Sequence, residues 1–586
     1  MDRERVPFNT LRSELMVYFQ SSNNIITFRL IALMFQPLPR HHGERKMRKI
    51  VMKNSLVRFS KSDHGALIIL LSVSAILLLF GLGARELWGA ETRWANITLQ
   101  MLQTGDYFDP YLKGMPYYDK PLPSYWLIAA TAHLMGGLGH WSLRLSSVLA
   151  AWLSVWLVYL IGKQLYSKGT GLLAGWFLAT TFFFVFWARV ATADILTVCG
   201  VLAAVWWYWR GPDDTRLSRY VVFFLFLSLT SLFKGLIGFI LPGLLLLPHL
   251  LGEGRWKNHL NPRMFLAMLV GGAFYMVPFI LSQRYGAPTF GSSGLGLVFR
   301  ENVVRFFQPF DNIGPIYTYL LYLPIYTLPW APCWILGLWL AVRNWKQTEP
   351  NVRWLICGLG LLFLFFTASG SRRSYYVLPL VPFAQLLAAW WVTRRMAERR
   401  AAGKVSGPGW TKGIAGTAVL LFLIIGVIYP WTNGGGGGVI QFTKDVRAEA
   451  IKTAPWNEWR MVMVDVDNKL PMYMQNHGSP FYYVAPDSDI PQKGDTAALM
   501  AWLEKESGEA WNPERTIIVE QYKDINQLPL AYLTADHQLI TTKPNNGARM
   551  FHARESGSAA FIPNVKATGT PVDGQAATQT SVQSMY

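Results

Sequence analysis

The chain has 586 residues, 52% hydrophobic and only 15% charged, and it carries 25 Trp. Soluble domains carry about 25% charged residues, and runs such as 65–83 and 415–430 are long enough for a hydrocarbon core of about 30 Å, which excludes a soluble enzyme, a single-anchor receptor and a disordered chain. The formal charge of +19 does not signal nucleic acid, because residues 440–555 hold 12 basic and 16 acidic side chains, a balance of −4, and the positive excess lies in the membrane half.

Residues 1–64 are irregular and basic, with Arg40, Arg45, Lys46, Arg48, Lys49, Lys53, Arg58 and Lys61, and are expected in the cytoplasm by the rule that Lys and Arg gather there. The apolar stretch 25–35 is too short to span and no small-residue cleavage site follows it, so it is not read as a signal peptide. Spans are expected at 65–83, 145–162, 169–188, 195–209, 220–234, 236–251, 264–281, 316–342, 354–370, 375–393 and 412–430, about eleven in all. Residues 122–138 are read as an aromatic-rich interfacial helix. If they crossed, Lys163/Lys168, Arg255/Lys257, Arg343/Lys346 and the cluster 394–400 would all fall outside. Cys199, Cys333 and Cys357 lie in apolar runs and read as small core hydrophobes.

The expected fold class is therefore an α-helical polytopic membrane protein over 65–430, with an outward loop at 84–144. After the run Gly434–Gly438, a flexible hinge, strand-like runs at 460–466, 481–484 and 516–520 alternate with a helical stretch at 496–506. This alternation predicts a small soluble α/β domain over 431–554. Residues 555–586, rich in Ser, Thr, Ala, Gly and Gln, read as a disordered tail.

An outward loop of this length in a chain otherwise joined by tight turns is the natural place for chemistry. It packs Glu86, Glu91, Asp106, Asp109 and Asp119 among Trp88, Trp94, Tyr107, Tyr117 and Tyr118. Carboxylates accept sugar hydroxyls and aromatic faces stack on sugar C–H groups, although the same composition suits a headgroup-anchored loop. Lys234 sits between two apolar runs, where a charge costs several kcal/mol unless paired or at the interface. Asp106, beside Gly105, reads as a turn residue.

The order Glu91-Thr-Arg-Trp-Ala, Gly105-Asp106 and Met115-Pro-Tyr-Tyr-Asp-Lys-Pro121 resembles the first outward loop of the polyprenyl-phosphate-sugar-dependent transferases of GT-C fold. These are the lipid A aminoarabinose transferases and their protein O-mannosyltransferase relatives. Matching pieces follow in order: Arg144-Leu-Ser, Arg189 with Asp194, Phe233-Lys234-Gly235 with Pro242, Glu301-Asn-Val-Val-Arg305-Phe, Leu328-Pro-Trp330, and Ser369 to Tyr376 followed by Leu378-Pro379. The resemblance covers roughly 65–430. It implies transfer of a sugar, with inversion, from a polyprenyl-phosphate donor to a lipid, glycan or protein acceptor of the envelope. The reaction would take place at the outer face of the inner membrane, with the C-terminal domain periplasmic.

Within that resemblance Glu91 and Asp194 are the expected catalytic carboxylates. Arg93, Tyr118, Asp119, Lys120, Lys234, Arg305, Arg372 and Tyr375 are expected to bind substrate, with the cations on the donor phosphate. Three departures matter. The family's loop usually opens with two adjacent acids, the first catalytic, and here that position is Ala90. Its Glu before the loop lysine is Asp119, and its histidine before Arg-Phe is Asn302. In relatives that acid and histidine can hold a metal, so a structural zinc is not expected, and a weakly held divalent cation is the most this donor set would carry. Without the first acid, either Glu91 serves as base, or the acceptor is an ionised phosphate that needs none, or the activity is weakened; the first is favoured, with Asp194 in support. A transporter or flippase for lipid-linked sugars, or a non-catalytic binding subunit, is the alternative, but the former would place charges at mid-bilayer.

Overall fold

A computed structural model describes residues 63–117, 120–252, 254–285, 299–308, 312–404, 407–428, 438–466, 469–476, 480–484, 488–491, 493–522, 528–542 and 557–564. The chain divides into two units, residues 1–76 and 77–586. The basic segment 1–62, Tyr118, Asp119, the hinge glycines 434–437 and the tail beyond 564 lie outside the described residues.

The membrane half is helical, as its long apolar runs require. Among the described residues six helices are long and apolar enough to cross: His140–Leu165, Leu217–Lys234, Pro262–Tyr285, Pro350–Ala368, Ser374–Ala401 and Gly409–Ile428. Shorter apolar helices cover His64–Leu79, Ala193–Trp209 and Ile237–Gly252. The apolar window of His140–Leu165 is 61% buried and that of Gly409–Ile428 only 11%, so the first is central and the second presents most of its surface outward.

Two segments expected as single straight spans are bent. Lys168–Ala179 and Phe182–Ala188 meet at 66°. The break falls at Thr180 and Thr181, whose hydroxyls donate to the Trp176 and Phe177 carbonyls, each at 2.6 Å. They close the helix from within its last turn, and Trp330 and Gln385 donate to the two hydroxyl oxygens at 3.0 and 2.9 Å. Thr318–Tyr326 and Ala331–Arg343 meet at 116°. Here Pro324, Pro329 and Pro332 remove backbone donors, while Thr327 donates back to Leu323 O at 2.9 Å and its hydroxyl accepts from Trp334 Nε1 at 2.8 Å.

The segment read as an interfacial helix forms Pro123–Leu134, 12 residues, and buries Tyr125, Ile128 and Ala132 in a core shared with the rest of the outward loop and the C-terminal domain. In the outward loop β1 Tyr111–Leu112 and β2 Met115–Pro116 pair antiparallel. Among the described residues the C-terminal domain is built on β3 Arg460–Val464, β4 Tyr482–Val484, β5 Thr516–Tyr522, β6 His537–Thr541 and β7 Gly557–Pro563, a sheet in the order β4-β3-β5-β7-β6. β3 pairs in parallel with β4 and β5, and β7 pairs antiparallel with β5 and β6. The expected boundary at 554 is too early. Gly557–Pro563 is a wholly buried strand between β5 and β6, and its Gly-Ser-Ala-Ala run masks the strand because small side chains let the sheet pack closely. Gly557 lies against the Tyr522 ring with no room for a Cβ.

Candidate active site

The outward loop begins at Glu91–Thr104, a helix that Gly105 ends at φ +74. Asp106 then makes the expected turn: its Oδ1 accepts from Phe108 N at 2.8 Å and Asp109 N at 3.2 Å. Glu91 stands at the helix start and is 0% exposed. Arg144 donates to it twice, Nε to Oε1 at 2.7 Å and Nη2 to Oε2 at 2.9 Å. Arg85 donates at 3.3 Å, and the backbone N–H groups of Trp88 and Ala191 each at 3.1 Å. Burial opposes its charge, but Arg144, Arg85 and the Ala191 N–H outweigh that and lower its pKa to about 2. A base needs a free lone pair within reach of the acceptor proton. Glu91 has both oxygens engaged and no exposed surface, so in this structure the expected base is held as an anchor, tied to His140–Leu165 through Arg144 and to the segment before Ala193–Trp209 through the Ala191 N–H.

Asp194, the other expected carboxylate, is ion-paired with Lys234. Arg189, five residues before Asp194, donates to the carbonyls of Leu77, Leu78 and Phe80, covering the open end of the first apolar helix. Lys234 closes Leu217–Lys234, and the chain turns at Gly235, φ +95, into Ile237–Gly252. Its ammonium lies 4.8 Å from the centre of the Tyr376 ring and 5.9 Å from that of Tyr375. A carboxylate and two aromatic faces thus hold a lysine at a break between two apolar helices.

Lys234 opens into a cavity of about 310 Å³ that also takes in Lys120, Arg305 and Asn302. Its other wall is apolar, with Ile237, Ile240, Phe306, Phe307 and Phe365, of which Phe307 is 76% exposed. Arg305 follows a π-turn, Arg300–Val304, a device that re-aims side chains near functional sites. The cavity therefore joins three cationic side chains to an apolar surface that opens outward, as an amphiphile with an anionic head requires.

The structure brings together Lys120, Lys234 and Arg305 in the cavity, with Asp194 on Lys234. It does not bring in Arg372, which donates to Thr367 O and Gly314 O and fastens its own loop. Tyr375 accepts from Arg373 at 2.8 Å and packs on Trp187 at 4.3 Å, its ring reaching Lys234 while Tyr376 lines the cavity. Arg93 donates to Tyr117 and lies over its ring and that of Trp94. Tyr118 and Asp119 lie outside the described residues. Tyr376 and Phe306 were missed: a doubled Tyr-Tyr does not tell which ring faces inward until the 3-10 turn Ser374–Leu380 sets it.

Of the two candidate metal positions, Asp119 lies outside the described residues and Asn302 is described. Among the described residues no three His, Cys, Asp or Glu side chains cluster as ligands, and the Asn302 carbonyl oxygen already accepts from Leu236 N at 2.9 Å.

Residues 119–281 match the family model described as dolichyl-phosphate-mannose-protein mannosyltransferase. The chain is 28% identical over 382 residues to undecaprenyl phosphate-alpha-4-amino-4-deoxy-L-arabinose arabinosyl transferase 2 of Pseudomonas fluorescens (strain Pf0-1), covering 63% of this chain and 66% of that one. It is 26% identical to the corresponding transferase of Enterobacter sp. (strain 638), with the same coverage. The match thus spans just under two thirds of those relatives. In fold the chain is similar to the crystal structure of ArnT from Cupriavidus metallidurans bound to undecaprenyl phosphate, with TM-score 0.63 at 18% identity, over 86% of this chain and 99% of that one.

Proposed function

We propose that the chain belongs with the polyprenyl-phosphate-sugar-dependent glycosyltransferases of GT-C fold and transfers a sugar from a polyprenyl phosphate to an envelope lipid, glycan or protein. The observation that carries this reading is the cavity, with Lys120, Lys234 and Arg305 beside a wall of Ile and Phe side chains. The apolar wall takes the first isoprene units of the carrier. The cations hold its phosphate, and as the bond from sugar C1 to the phosphate oxygen breaks they stabilise the charge left on that oxygen.

The acceptor oxygen forms the new bond to C1 from the opposite face, which inverts the configuration. An alcohol acceptor gives up its proton in this step, and Asp194 is the carboxylate placed to take it. With the donor phosphate drawing on Lys234, the Asp194–Lys234 pair loosens and an Asp194 oxygen is freed. A phosphate acceptor, already ionised, does not need this help. The relatives' names carry transferase chemistry on undecaprenyl phosphate and 4-amino-4-deoxy-L-arabinose, which supports a donor of that class and does not favour the transporter alternative.

We further propose that the site faces the periplasm from the inner membrane, together with the C-terminal domain. The basic groups Lys163/Lys168, Arg255/Lys257, Arg343/Lys346 and 394–400 sit at the helix ends away from Lys234, where the positive-inside rule puts the cytoplasm. A cysteine placed at Ser507 should then react with a membrane-impermeant maleimide added to intact spheroplasts; labelling only after lysis would reverse the topology.

The function is tested in proteoliposomes with undecaprenyl-phosphate-linked 4-amino-4-deoxy-L-arabinose and extracted envelope lipids, with sugar addition read by mass spectrometry. Lys234→Ala and Arg305→Ala should each lower transfer by about 100-fold or more, as loss of a charge-stabilising contact does elsewhere. Wild-type rates in both variants would refute the assignment.

A further inference from the structure

Asn302 lines the cavity, yet its carbonyl oxygen points at the protein. Oδ1 accepts from the backbone N–H of Leu236 at 2.9 Å. That N–H lies just before Ile237–Gly252 and is one of the donors a helix start leaves without a partner in its own helix. The Asn302 amide also lies flat on Gly235: a Cβ there would meet Oδ1 at 2.4 Å, Nδ2 at 2.7 Å and Cγ at 2.9 Å. Gly235, at φ +95, is in the region glycine tolerates, and its missing side chain is what admits the amide. The residue on one side of this contact is Lys234. Three positions after Asn302 on the π-turn comes Arg305.

We infer that Asn302 is a positioning residue: its amide brackets the Lys234–Gly235–Leu236 turn against the π-turn and so sets the spacing between the two phosphate-binding cations, Lys234 and Arg305. This rests on the reading of the cavity as a polyprenyl-phosphate site. Lysine and arginine side chains are long and flexible, and two of them converge on one phosphate only if their backbones are held in register. The Leu236–Asn302 hydrogen bond ties the turn to the π-turn segment. It also shows why an amide serves here: the oxygen takes the helix N–H without adding charge beside the cations.

The test measures the affinity of the purified protein in nanodiscs for undecaprenyl phosphate and for the uncharged alcohol undecaprenol. If Lys234→Ala and Arg305→Ala leave the phosphate affinity unchanged, the cavity reading itself fails, whatever Asn302 does. If they lower it, Asn302→Ala should weaken undecaprenyl phosphate by about tenfold, the scale of one well-made hydrogen bond, and leave undecaprenol unchanged. In the Lys234→Ala/Arg305→Ala background Asn302→Ala should have no further effect. Equal loss for both lipids, an additive loss in the double-variant background, or wild-type affinity in Asn302→Ala overturns the proposal. If Asn302→Ala does not accumulate, hydrogen exchange on the wild-type protein decides: undecaprenyl phosphate should protect peptides over 230–240 and 299–308 together, and protection of only one of them overturns it.

Discussion

Two buried carboxylates show how surroundings set the role of one functional group. Glu91 is enclosed by Arg144 and Arg85 with its pKa lowered to about 2. A depressed carboxylate contributes stability that is present above its unfolded value of about 4.5 and lost as pH falls through about 2. Glu91→Gln would leave Arg144 and Arg85 buried without their counter-charge, a change that costs about 3–5 kcal/mol. The expected result is a fall in membrane abundance and in thermal stability, read by immunoblot and by fluorescence melting. Full abundance with lost transfer would restore Glu91 as a catalytic base. Glu520 is the opposite case. It is 1% exposed on β5, and burial, only partly opposed by the Leu530 backbone N–H, raises its pKa to about 7 from 4.5. The folded form keeps a proton that the unfolded chain has released, so stability falls as pH rises from about 4.5 to about 7 and stays low above that. At pH 8 Glu520→Gln should stabilise the C-terminal domain by up to about 3 kcal/mol, the equivalent of that shift. At pH 4 it should make little difference. Melting curves at the two pH values check both.

Elements here are placed by close approach as much as by apolar periodicity. His140–Leu165 and Lys168–Ala179 touch through Gly162 and Gly171; a Cβ on Gly171 would meet Tyr159 O at 2.4 Å and Lys163 N at 2.7 Å. Those atoms are backbone and have little room to yield. Gly171→Ala should therefore cost about 1–3 kcal/mol by overpacking, seen as a lower melting temperature in detergent, whereas Gly243→Ala, whose Cβ would meet nothing within 4 Å, should leave it unchanged. The same segment shows why breaks inside apolar runs are hard to read. The stretch 171–188 is apolar throughout except for Thr180 and Thr181, and a helix-closing hydroxyl looks the same in sequence as one that merely bonds back inside a straight helix.

At the scale of the whole molecule, the outward loop and the C-terminal sheet share one core. Trp94, Ile97 and Leu99 of the loop pack in one cluster with Met461, Met463, Val519 and Ile562 of the sheet. Polar contacts fix the fit. Tyr473 accepts from Leu87 N at 3.0 Å and lies 3.0 Å from His140 Nε2, while His140 Nδ1 lies 2.8 Å from Gly83 O. Since a carbonyl only accepts, Nδ1 carries the proton and Nε2 accepts from the tyrosine. Lys469 pairs with Glu86 at 2.7 Å. Glu86, Leu87 and Glu91 lie on one short stretch, so the domain bears directly on the loop that Glu91 anchors. Tyr473→Phe removes the hydroxyl and leaves Leu87 N–H and His140 Nε2 buried without it, a loss of about 1–3 kcal/mol. It should speed hydrogen exchange over 82–90 while the exchange of β3 and β5 stays as in the wild type. Unchanged exchange at Leu87 would show that the apolar core alone holds the loop.

Composition and hydropathy by themselves determined a polytopic helical membrane protein, because a bilayer admits only helices and closed barrels and continuous apolar runs of about 20 residues suit helices. Alternating short strands and a helix determined the C-terminal α/β domain, and the ordered motifs pointed to the resemblance. Lys234 was legible because a cation between two apolar runs is costly and stands out, whereas Lys120 and Arg305 were singled out by the resemblance. What only the tertiary structure decided was which charges meet. Glu91 is 53 residues from Arg144 and Asp194 is 40 from Lys234, separations at which sequence carries no pairing information. A carboxylate enclosed by two guanidinium groups and one held beside a cavity are the same residue type until the helices close around them. Strand β7 was likewise invisible, since its small residues bury through the sheet around them and carry no apolar signal of their own.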